Sequence, residues 1–182
     1  MGVFDLYHPV RDKMQSGDLI EWHTEGSPVS ALIRLFSGQD FNHSSLVMRL
    51  PDDYRVGHED KVIIIEAVAG GIKTSYLSHV LADHHGKAYW FPLKDSEKCN
   101  DATRKKIAQW AVHQALIHTK YDYGSIFKNI FGRVNVNASQ FFCSEFYQMA
   151  LSTAGIIATD MKALRPGEFQ KLKLHLPAVR IG

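Results

Sequence analysis

The most restrictive stretch of this chain is VIIIEAV, Val62 to Val68. Four β-branched residues in succession, Val62 through Ile65, favour a strand. With apolar side chains on both alternating sides, they predict a central strand covered on both faces. Glu66 lies inside the same run. A carboxylate between Ile65 and Ala67 is costly to bury unless it is hydrogen-bonded, paired with a base, or turned into a cleft.

The flanking sequence supplies further strands. Gly17-Asp18 opens a strand over Leu19 to Trp22, and the turn residues HTEGSP close it. Ser27 and Pro28 suit the start of a helix reaching about Phe36, with Val29, Leu32, Ile33 and Phe36 on one side. SSLVMRL after His43 predicts a strand with one face more buried than the other. Gly70-Gly71 turns the chain into a returning strand, Ile72 to Tyr76. A short helix over Leu77 to Ala82 and a strand over Lys87 to Leu93 follow. Asp101 and Thr103 suit the cap of a helix running to about Thr119, whose buried side is Ile107, Ala108, Ala111, Val112, Ala115 and Leu116. Ser125 to Phe131 reads as a short helix or lid, GRVNVNAS as a polar loop, and KLKLHLPAV as a last loop and strand.

A chain of 182 residues, 45% hydrophobic and without repeats or a linker, predicts a single domain over 1–182. The fold class is α+β. A net charge of +2 leaves no electrostatic footprint for nucleic acid. The start of the sequence has no secretory pattern, and no apolar run is long enough to span a bilayer. With only Cys99 and Cys143, a reduced, cytoplasmic protein is the simplest expectation. The basic run Arg104-Lys105-Lys106 reads as a solvated helix face, with peripheral lipid contact as the alternative. Neither His84-His85 nor His113 with His118 has partners at metal-binding spacing, so no metal and no cofactor are expected.

The chemistry centres on QFFCSEFYQMA, Gln140 to Ala150. Ser139 as N-cap and an apolar stripe of Phe142, Phe146, Met149 and Ala150 place Cys143 at the start of a helix, where unpaired N–H groups favour a thiolate. A thiolate nucleophile needs an imidazole, and the imidazole needs a polar partner. His43, at a loop-to-strand junction, suits the first role, and Glu66, on the next strand, the second. Each also has an ordinary reading: Cys143 as a small core residue, His43 as a loop histidine, Glu66 as a carboxylate paired with Lys or Arg. Cys99 reads as an incidental thiol in a polar loop, and Phe127, Phe131, Phe141 and Phe142 as core or as a wall beside the site.

Taken in order, GDLI at Gly17 to Ile20, FNHSSLVM around His43, IIEAV with Glu66, YDYG at Tyr121 to Gly124 and FFCSEFY around Cys143 resemble one group of proteins. This is the circularly permuted branch of the NlpC-like papain-fold superfamily, the YiiX/YaeF-like group, and the resemblance runs from about Gly17 to Phe169. It implies an antiparallel sheet packed against helices, with the His-bearing strand preceding the Cys-bearing helix. It also implies Cys143 as nucleophile, His43 as general base and acid, and Glu66 as the third polar residue. Two features are the chain's own: Ser45, where relatives often carry glycine, and the segment 124–137. The implied activity is that of a cysteine peptidase or amidase acting on a cell-wall-type peptide or an N-acyl compound. A lipid acyl hydrolase or acyltransferase of the same fold is the alternative, and a non-catalytic binding module is the rival of a different kind. Ser144 and Tyr123, close to these motifs, are candidates for substrate binding, against plain capping and packing roles.

Overall fold

A computed structural model describes residues 4–25, 40–50, 61–68, 71–117 and 139–182, with 139–142 described by backbone alone. The expected helix over 28–36, the YDYG stretch with Tyr123, and the segment 124–137 lie outside these residues. Six strands form one antiparallel sheet: β1 (Leu19–Thr24), β2 (His43–Arg49), β3 (Val62–Val68), β4 (Gly71–Tyr76), β5 (Gly86–Phe91) and β6 (Val179–Arg180). Their spatial order is β4-β3-β2-β1-β5-β6. Among the described residues three α-helices accompany them: α1 (Leu77–Asp83), α2 (Asp101–Leu116) and α3 (Ser139–Thr153). The fold is α+β.

The β-branched run behaves as its composition requires. β3 lies between β2 and β4 and is buried from Val62 to Ala67. Ile63 and Ile65 point into one core, with Leu46 and Met48 of β2, Ile107 and Ala111 of α2, and Phe146, Tyr147 and Ala150 of α3. Val62 and Ile64 point the other way, to Ile20, Trp22, Val47 and Trp90 and to Leu77 and Leu81 of α1. β2 is therefore buried on both sides rather than mainly on one, because helices or loop segments cover both faces of the sheet.

The Gly17-Asp18 turn ties α2 to this sheet. Gly17 has φ +94°, in the left-handed region, and an added Cβ there would come within 3.0 Å of the Ile107 side chain. Asp18 accepts hydrogen bonds from the Gln15 and Leu93 amides, from the Trp90 indole and from Arg104 Nη1 at 3.0 Å. Arg104 in turn reaches Asp95 and the Ser16 and Leu93 carbonyls. It is thus an interior residue, not part of a solvated basic face, because Asp18 offers a buried counter-charge on the inner side of α2. Lys105 and Lys106 are exposed.

Four further expectations are corrected. Asn100, not Asp101 or Thr103, caps α2, its side chain accepting the Thr103 N–H at 3.1 Å. Leu116, in the last turn, is 72% exposed, while Cys99 belongs to the core. In α3 the sheet-facing side is Cys143, Phe146, Tyr147, Ala150 and Leu151, and Met149 is turned outward. α3 ends where Gly155 takes φ +80°.

Candidate functional site

β2 begins at His43, and β3 lies beside it in antiparallel register, with Leu46 opposite Ile65. The side-chain period of two then places His43 and Ser45 on one side of β2, next to Glu66 on the same side of β3. His43 Nε2 donates to Glu66 Oε2 at 2.6 Å, since a carboxylate can only accept. This fixes the tautomer and leaves Nδ1 for other chemistry. The other ring partner is Cys143: its side chain hydrogen-bonds to the imidazole and acts on it electrostatically. His43 thus stands between sulfur and carboxylate. All three residues expected from the sequence are brought together, from positions 43, 66 and 143.

The electrostatics of this trio favour an imidazolium. Burial works against the charged ring, but the charge and hydrogen bond of Cys143, together with those of Glu66, outweigh it and raise the His43 pKa to about 10. Burial likewise opposes ionisation of Glu66. The hydrogen bonds and charge supplied by His43, a bond from Ser45 and the charge of Lys73 reverse that, and the carboxyl is held below its ordinary value. Lys73 is its register partner on β4, so the ordinary reading of Glu66 as a base-paired carboxylate also has a basis, alongside the histidine. Cys143 is 1% exposed, whereas the His43 side chain is 27% exposed. The trio meets solvent on its imidazole side.

Cys143 is the fifth residue of α3, just past the first turn rather than in or before it. The unpaired amides of a helix start belong to its first turn, so these donors lie before the cysteine rather than at it. Its helix is held in rotation by Tyr147, on the same side one turn on. The phenol donates to the Gly17 carbonyl at 2.9 Å, so its oxygen receives the Nε2 hydrogen of His175, at 2.8 Å. Ser144, beside the sulfur, is fully buried.

Several polar groups here escape the reading of the sequence. Ser45 donates to Glu66 Oε2 at 2.8 Å and accepts from the Trp22 indole at 2.7 Å. The spacing His43-x-Ser45 was the available signal, because it puts both residues on the face that Glu66 shares. Glu21, fully buried on the opposite side of the sheet, binds the Ser44 hydroxyl and the Gly167 amide, and burial raises its carboxyl to about 8. Glu145 is 5% exposed, and neither of its oxygens has a hydrogen-bond partner among the described residues. Burial first, and the nearby Cys143 charge second, raise it to about 9. An acidic letter inside the apolar FFCSEFY was its only trace.

Among the described residues, no three His, Cys, Asp or Glu side chains converge as metal ligands. His43 Nε2 and Glu66 Oε2 are turned to each other instead. No helix among them is long and apolar enough to cross a membrane.

No family description and no curated protein matches this chain. Among solved structures it is similar to the metalloprotein yiiX from Escherichia coli O157:H7, at 18% identity and a TM-score of 0.47, over 92% of this chain and 96% of that one.

Proposed function

We propose that this chain is a thiol hydrolase with a circularly permuted papain-like arrangement, cleaving an amide bond in a peptide or an N-acyl compound. The observation that carries the reading is His43 set between Cys143 and Glu66, its ring holding a proton against burial. A proton kept on the imidazole leaves the sulfur as the nucleophilic thiolate.

In this mechanism the Cys143 thiolate attacks the carbonyl carbon, and an N–H among the unpaired donors at the start of α3 receives the developing oxyanion. His43 passes its proton to the leaving nitrogen as the C–N bond breaks, giving a free amine and a thioester on Cys143. Water then attacks the thioester, yielding its proton to the imidazole. The acid leaves and the thiolate is restored. Glu66 stabilises the imidazolium and holds the ring. Ser144, next to Cys143 in sequence, and Tyr123, through its place in YDYG, are assigned to substrate binding.

The test is iodoacetamide labelling of the two cysteines across pH, followed by hydrolysis of short acyl-peptide amides. Cys143 should alkylate under mildly acidic conditions where Cys99 does not, and Cys143→Ala should abolish turnover while leaving the folded spectrum intact. Equal labelling of both thiols, or turnover surviving the substitution, defeats the assignment.

A further inference from the structure

Trp22, Ser45 and Glu66 form a chain of hydrogen bonds whose direction is fixed by chemistry. An indole nitrogen can only donate, so Ser45 Oγ is the acceptor of the 2.7 Å bond from Trp22 Nε1. The single hydroxyl hydrogen is then directed to Glu66 Oε2, 2.8 Å away. The same Oε2 accepts His43 Nε2–H. Trp22 is 2% exposed and Ser45 1%, so water does not compete for either group. The strand register makes the arrangement rigid: Trp22 lies opposite His43 and Ile20 opposite Ser45, which puts the indole on the side of the sheet where the serine stands.

From this geometry we infer that Ser45, oriented by Trp22, is a positioning residue that keeps Glu66 Oε2 aimed at the imidazole and sets the proton affinity of His43. The inference rests on the hydrolase reading for its consequence in turnover, but not for its geometry. A hydroxyl donating to a carboxylate stabilises the ionised form, and such charge-assisted bonds are stronger than neutral ones. Without it Glu66 binds its proton more readily and shields the imidazolium less. The other charged groups acting on the pair are Cys143 from α3, Lys73 from β4, Glu21 from β1 and His84 after α1.

The experiment compares wild type, Ser45→Ala and Ser45→Thr by NMR titration of the His43 ring nitrogens, with alkylation of Cys143 as a function of pH read in parallel. Ser45→Ala should lower the His43 midpoint by about one pH unit, as expected for loss of one charge-assisted bond. It should also cut kcat on an amide substrate about tenfold with KM unchanged, and Ser45→Thr should restore both. A merely structural serine would lower the unfolding midpoint and leave the His43 titration where it was; that result overturns the inference. Should Ser45→Ala fail to fold, Trp22→Phe, which removes the orienting donor together with part of the ring, must shift the midpoint in the same direction or the inference falls. Failure of the hydrolase reading looks different: Cys143 is unreactive in wild type, while the His43 titration still decides the role of Ser45.

Discussion

If the proton on His43 is held mainly by a negative sulfur, removing that sulfur must release it. The ring is raised from 6.5 to about 10 although burial opposes its charge. A rise of that size corresponds to roughly 5 kcal/mol in favour of the imidazolium. Two partners supply it. A single opposite charge at close range is worth about 1–3 pH units, so Glu66 alone, working against burial, should hold the ring near or below about 8. In Cys143→Ala, the Nδ1 and Nε2 resonances of His43 should therefore titrate at least about two pH units below wild type, within a spectrum otherwise unchanged. A Cys143→Ala midpoint within half a unit of wild type would show that the sulfur carries no charge in the folded protein, and the thiolate–imidazolium reading would fail with it.

Three other perturbations follow from buried groups. Arg104→Met leaves Asp18 buried without its counter-charge, and should lower stability by about 3–5 kcal/mol in urea unfolding; a loss below about 1 kcal/mol would refute this. Glu145 keeps its proton in the folded state up to about 9 but releases it near 4.5 when unfolded. The unfolded chain therefore binds fewer protons between those values, and wild-type stability falls as pH rises through them. Glu145→Gln should gain on wild type across that window, by about 3 kcal/mol at pH 7, and parallel pH profiles would count against it. His175 behaves in the opposite sense: burial lowers it to about 4, so the unfolded chain binds the extra proton and stability is lost as pH falls from 6.5 toward 4. His175→Gln should flatten that acid limb by about 3 kcal/mol in thermal or urea profiles.

What could be read from the sequence was local. VIIIEAV declared an internal strand because its pattern is set by side-chain shape, and the hairpin at Gly71 and the cap at Gly155 followed from backbone preference. The pairing of His43 with Glu66 was legible because the two residues sit on adjoining strands. What escaped needed register or partners. Arg104 looks like its neighbours Lys105 and Lys106 until Asp18, 86 positions away, is placed beneath it. The buried side of α3 was misjudged because residues 143 to 148 are all buried, so an apolar stripe cannot reveal which side meets the sheet. The bonds from Trp22 to Ser45 and from Ser45 to Glu66 span 23 and 21 positions. No periodicity in either segment announces them.

The Tyr147–Gly17 bond has a consequence in time as well as space. It joins positions 130 apart, and the Glu21–Gly167 bond joins positions 146 apart. β1, central in the sheet, needs β2 on one side and β5, more than sixty residues later, on the other. Contacts so distant along the chain give slow folding, on the order of milliseconds to seconds, because loop closure precedes its reward. On a ribosome, β1 to β3 emerge with one edge of β1 unpaired until β5 appears. Cys143 meets His43 only after that. The helix that carries Cys143 is thus among the last parts to dock, and Cys143 stays apart from His43 while the open strand edge is exposed.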